Sequence, residues 1–120
     1  MNMFFKSTAI LALLYFLMSM AVQYNDPDPL FWMGIYGIIF AATFLFLLEK
    51  LPMFVPLLIA TGCVAGGIMS WPEVFEGVQR TMGDNINVEE GREALGLFIS
   101  AALMLVLSLG IFLSSDMPYE

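Results

Sequence analysis

Four long apolar runs constrain this chain more than any other feature of it. The clearest is Leu30–Leu48, which carries no charge and is rich in Phe, Ile, Leu and Ala. At 1.5 Å per residue, about 18–20 such residues reach roughly 27–30 Å, the thickness of a bilayer's hydrocarbon core. A second run, Ala9–Val22, follows Lys6; the others are Met53–Trp71 and Ala94–Leu113. The pattern predicts membrane helices over Phe4–Val22, Leu30–Leu48, Met53–Trp71 and Val88–Leu113. The expected fold is all-α: an integral membrane bundle of four transmembrane helices, forming a single domain over residues 1–120. Composition agrees, since 60% of residues are hydrophobic and 12% charged, whereas a soluble domain has about a quarter charged residues. Ser19-Met20-Ala21 is a weak small-x-small cleavage pattern, and the first run is read instead as a retained helix.

The first two runs are separated by Gln23–Pro29. Pro27 and Pro29 lack an N–H and bias the residues before them away from the helical region, so no helix runs through. Asp26 and Asp28 sit in this break with no Lys or Arg close in sequence. Trp32 and Tyr36 lie one turn apart just beyond it, which suits an aromatic belt with rings in lipid and polar tips at the headgroups. The alternative is that they pack on the acidic turn and hydrogen-bond to it.

Glu49-Lys50-Leu51-Pro52 makes a short turn. The third run contains Gly62, Gly66 and Gly67, and Gly62-x-x-x-Gly66 marks a face for close helix approach within the bundle. Pro72–Gly91 is the one long polar segment. Val74, Phe75 and Val78 suit a short amphipathic helix at the membrane interface, ending before the turn at Gly83-Asp84-Asn85. Asn87 with Glu90 resembles a capping box, and Glu89, Glu90 and Glu93 place negative charge where a helix N-terminus favours it.

The net charge is −7, with eleven acidic residues against four basic ones. No basic cluster exists for nucleic acid or anionic lipid headgroups. There is no His, and Cys63 is the single cysteine. That excludes a disulfide within the chain, a Cys/His metal site, haem on an axial His and dithiol redox chemistry. The expected partners are membrane lipids and other membrane protein subunits, with no nucleic acid. Lys6 and Lys50 fall on one side of a four-span topology, Arg80 and Arg92 on the other. Lys6 precedes the first helix and Lys50 lies in a very short loop, so both weigh more, placing the termini in the cytoplasm and the acidic loops outside.

Two stretches resemble signatures of the transmembrane protein 220 family. One is Gln23-Tyr24-Asn25-Asp26-Pro27-Asp28, with Trp32 and Tyr36 downstream. The other is Glu89-Glu90-Gly91-Arg92-Glu93, followed by Gly96-Leu97. The resemblance implies a small multi-pass membrane protein and no particular activity.

Glu89, Arg92, Glu93, Gly96 and Ser100 share one helix face, and its small residues suit close approach to a neighbour. This face is expected to point into the bundle with its charged end at the rim. Arg92 can engage a carboxylate bidentately, so it is expected to clasp Asp26 or Asp28 and lock the first hairpin to the last helix. The expected structural or interaction set is Gln23, Asn25, Asp26, Asp28, Trp32, Tyr36, Glu89, Glu90, Arg92, Glu93 and Gly96. A competing reading makes Asp26, Asp28, Glu89 and Glu93, with the Asn25 amide, hard oxygen ligands for Ca²⁺ or Mg²⁺. No cofactor is otherwise expected. No nucleophile–base set or phosphate loop is present, and the spans carry no mid-membrane ionisable group for an ion path. The expected function is therefore a non-catalytic accessory or assembly subunit packing against a larger membrane complex. The alternative is a membrane-embedded enzyme, or a cation- or lipid-binding protein, using the acidic rim.

Overall fold

A computed structural model describes residues 2–22, 29–72 and 86–114; at Val22, Pro29 and residues 86–89 it describes the backbone alone. Among these residues the fold is all-α. The helices are α1 Met3–Val22, α2 Pro29–Leu47, α3 Phe54–Ser70 and α4 Ile86–Ser114. All four expected helices are present. Three hold stretches long and apolar enough to cross a membrane, Met3–Ala21, Leu30–Leu47 and Glu90–Ser114. The apolar α3 is shorter, at 17 residues, which is about the least that spans a bilayer. The expected amphipathic helix after Pro72 lies outside the described residues.

Local chemistry sets the helix ends. At α1, the Phe5 N–H donates to Oδ1 of Asn2 at 3.1 Å, so Asn2 caps the helix. Pro29 opens α2 at the position where its missing N–H costs nothing. At the end of α2, the Glu49 N–H donates to the Phe46 carbonyl at 2.9 Å and the Lys50 N–H to the Leu45 carbonyl at 3.0 Å. This crossed pair is a Schellman motif, with Glu49 in the left-handed position at φ 60° where glycine is usual. Pro52 follows and prevents the helix from resuming. The end of α3 tightens, the Trp71 N–H donating to the Ile68 carbonyl at 3.3 Å, and Pro72 follows. The first helical residue of α4 is Ile86, so Asn87 lies inside the first turn and not at the expected cap, a two-residue difference within the usual spread of helix ends.

The chain divides into two compact units, Met1–Pro56 with Val106–Glu120, and Leu57–Leu105. In the first, α1 and α2 pack antiparallel. The buried side of α1 is Phe5, Ala9, Ala12 and Phe16; that of α2 is Trp32, Tyr36, Ile39, Thr43 and Phe46. Both sets repeat at alternating steps of three and four, the spacing that keeps one seam of a helix facing its neighbour. Phe16 stacks on Tyr36 with centroids 6.4 Å apart. In the second unit, α3 packs on the first part of α4 through Gly66 and Gly67, which face Leu97 and Phe98.

The helices are apolar inside and out. Beside its buried stripe, α1 exposes Phe4, Ile10, Leu11, Leu14 and Leu17. A helix hydrophobic all round belongs in lipid when, as here, its neighbours bury only one side of it. Polar groups are arranged accordingly. Hydroxyls donate back to their own helix, Thr43 to the Ile39 carbonyl at 2.9 Å and Ser100 to the Gly96 carbonyl at 2.8 Å. Among the described residues, no buried side-chain polar atom lacks a hydrogen-bond partner, as a medium without water demands.

Candidate functional site

The expected site has two halves. Of the first, Gln23, Asn25, Asp26 and Asp28 lie outside the described residues, and so does any pairing of Arg92 with them. Trp32 and Tyr36 are described, and the belt expectation fails for both. Only 6% of Trp32 and 4% of Tyr36 is exposed. Their rings are 6.4 Å apart, and Tyr36 leads on to the fully buried Phe16. The reason is register: Trp32 and Tyr36 open the same stripe that continues through Ile39, Thr43 and Phe46, so the seam with α1 takes them inward. Nearness to a helix end did not outweigh their place on that stripe. Phe31, the neighbour of Trp32, carries the outward position instead and is exposed.

The second half sits on the first turns of α4. Glu90, Arg92 and Glu93 are half-buried around a buried Gly91. The fully interior stripe of α4 is Ala94, Leu97, Ala101 and Met104, with Ser100 beside it. The face expected to point inward, Arg92, Glu93, Gly96 and Ser100, is therefore the flank of that stripe. Ser100 is wholly buried, and Gly96 is half-buried, its carbonyl holding the Ser100 hydroxyl. The side chain of Glu89 lies outside the described residues. Among the described residues no group of three His, Cys, Asp or Glu is placed to hold a metal; of the four candidate ligands only Glu93 has a described side chain.

Sequence spacing misplaced the glycine contacts. The expected Gly62–Gly66 pair splits: a Cβ on Gly66 would meet Cδ1 of Leu97 at 3.1 Å, whereas one on Gly62 would meet nothing within 4 Å. The tightest approach is at Gly67, where a Cβ would come within 2.6 Å of the Phe98 ring. Trp71 extends this contact, its ring centroid 6.2 Å from that of Phe98. Gly110 is a further close approach: its Cβ would lie 2.9 Å from Cδ1 of Phe5 and 3.1 Å from Cζ of Phe46. The adjacency of Gly66 and Gly67 was the available signal, since two neighbouring glycines widen the arc over which a helix can be approached.

The described residues of the site present buried aromatics, glycine contacts and a charged helix start. The family described as "Transmembrane family 220, helix" matches residues 15–109. No curated protein and no solved structure matches the chain. With its apolar helices and a match over most of its length, the chain is an integral membrane protein and belongs to transmembrane family 220.

Proposed function

We propose that this protein is a non-catalytic accessory or assembly subunit, held among membrane lipids and packing against a larger membrane protein. The observation that supports this most directly is how little of α1 the chain itself covers. Within its membrane-crossing stretch 22% is buried, against 44% in α4. Leu11, Leu14 and Met18 are each more than half exposed, leaving a broad apolar face open to lipid or to another helix. The Asp26 or Asp28 carboxylate paired with Arg92 then serves architecture, tying the first hairpin to α4. In this reading Lys6 and Lys50 face the cytoplasm and the acidic loops lie on the opposite side. No cofactor is needed.

Purification in mild detergent tests the role. A fixed-stoichiometry membrane partner supports it; a lone chain retaining a tightly bound divalent cation or polar lipid would replace it with the binding reading. Melts of Asp26→Asn, Arg92→Gln and the double variant separate the two uses of the acidic rim. A structural pair predicts that each single change destabilises and that the double loses less than the sum. A cation site predicts that chelator lowers the wild-type melting temperature, that Asp26→Asn abolishes this response and that Arg92→Gln preserves it. Labelling of cysteines placed at Asp28 and Asp84 from opposite sides would overturn the four-span topology.

A further inference from the structure

Lys6 and Lys50 stand far apart in sequence and form no basic cluster there. The seam between α1 and α2 brings them to one end of the hairpin. The Met20 sulfur lies 3.5 Å from where a Cβ on Gly37 would sit, so these two residues face each other across the antiparallel pair. About four turns back along α1 comes Lys6, on the same side of the helix as Met20. About the same distance on from Gly37 comes Lys50, held over the end of α2 by its N–H bond to the Leu45 carbonyl. Phe5 and Phe46 agree with this register, since both rings close on one position, Gly110.

Both lysines are exposed. The axes of packed helices lie about 8–10 Å apart, a gap that two flexible four-carbon stems can close onto one anion. Among the described residues the other charge at this end is Glu49, also exposed, so the end is basic by one charge. Below the lysines the surface is apolar. Ile10 and Leu17 are exposed on the side of α1 that carries Lys6, and Leu45 is exposed on α2. Lysines at a membrane boundary lay their stems on such surface and hold the charge among the headgroups, where anionic lipid attracts it. We propose that Lys6 and Lys50 together hold the phosphate of an anionic phospholipid whose acyl chains lie along Ile10, Leu17 and Leu45. A free phosphate would leave that apolar surface unused. Such a lipid exchanges with the bilayer, and is therefore distinct from the tightly retained ligand that would replace the accessory role.

The test melts the full chain in micelles doped with phosphatidylglycerol or with phosphatidylcholine of the same acyl chains and mole fraction. Each variant is scored by the gain of the first lipid over the second, so a change in its own folding cancels. The wild type should gain about 4 °C or more from phosphatidylglycerol. Because one phosphate engages both ammoniums, Lys6→Gln and Lys50→Gln should each remove most of that gain, and the double variant little more. Lys50→Arg should keep the gain, and Glu49→Gln should enlarge it by removing a like charge from beside the phosphate. Inorganic phosphate at the same concentration should give none. Losses from the two single variants that simply add in the double would show two separate lysines and overturn the shared site. No gain in the wild type, a full gain in the double variant, or an equal gain from inorganic phosphate would overturn it as well.

Discussion

The two helix seams of this protein are built from opposite materials. Between α1 and α2 the seam holds large buried rings, Phe16, Tyr36 and Trp32, with Phe16 stacked on Tyr36 across it. Between α3 and the first part of α4 it is opened by absent side chains, Gly66 and Gly67, into which Leu97 and Phe98 fit. Lipid tails are as apolar as Leu, so neither seam draws on the hydrophobic effect as a soluble core does; both depend on contact density. The difference lies in slack. At the ring seam the glycine contact is ordinary, a Cβ on Gly37 lying 3.5 Å from the Met20 sulfur. At the glycine seam a single added carbon already overlaps Phe98.

The hardest way to break the comparison is therefore at Gly67. Gly67→Leu should destabilise by about 3 kcal/mol or more, because overpacking forces either the helix or the Phe98 ring to move. Thermal melts in detergent and the midpoint of denaturant unfolding would both read this. Phe98→Leu should recover part of the loss in the double variant, since the clash is with one ring. If Gly67→Leu melts like the wild type, α3 and α4 do not meet at this glycine.

Opening a hole in the ring seam should cost somewhat less. Phe16 is fully buried, and Phe→Ala in water-soluble cores costs about 3–5 kcal/mol. In lipid the transfer part of that cost largely disappears and the cavity part stays, leaving about 2 kcal/mol for Phe16→Ala. Near-ultraviolet dichroism should change with it, because the Tyr36 ring loses its stacking partner. A loss larger than that of Gly67→Leu would reverse the ranking of the two seams.

These two sites also mark where the sequence was legible. The four helices could be read from apolar run length and proline position, because a bilayer admits few other solutions for such runs. The inward or outward side of a residue could not be read the same way. In a membrane helix the buried and exposed faces are both apolar, so the contrast that marks a face in a soluble helix is missing. Depth alone suits Trp32 and Tyr36 to the lipid belt, and the seam with α1 takes them inside. Gly62 and Gly66 form a motif in sequence, yet only Gly66 meets a neighbour. Steps of three and four, like those of Trp32, Tyr36, Ile39, Thr43 and Phe46, run along every face of a helix, so spacing alone does not mark the buried one.

A smaller effect of opposite sign is expected at the end of the ring seam, where α2 turns toward α3. Glu49 holds a left-handed conformation at φ 60°, which costs a residue with a side chain roughly 1–2 kcal/mol. Glycine adopts it freely but loses more freedom on folding. The net for Glu49→Gly is a gain of about 0.5–1 kcal/mol. Glu49→Val, branched at Cβ, should lose stability at the same position. Raised melting for Glu49→Val would mean that the Schellman turn does not form.

The finest comparison separates the glycines of α3 from one another. Gly62, Gly66 and Gly67 share a helix and a medium, so alanine changes helix propensity alike at all three. They differ only in what a Cβ would meet: nothing within 4 Å at Gly62, the flexible end of Leu97 at 3.1 Å at Gly66, and the Phe98 ring at 2.6 Å at Gly67. In a helix Ala is favoured over Gly by about 1 kcal/mol in water, and less where lipid already enforces the backbone hydrogen bonds. Gly62→Ala should therefore be neutral or stabilising by a few tenths of a kcal/mol. Gly66→Ala should fall near zero, the propensity gain offset by a small shift of Leu97, and Gly67→Ala should lose about 1 kcal/mol or more. Melts of the three variants in one detergent give the order directly. If Gly62→Ala is the most damaging of the three, the open side of α3 is covered by another helix when the protein is assembled. The seam would then lie one residue face away from Gly67, and the contrast between ring seam and glycine seam would have to be redrawn around the assembled complex.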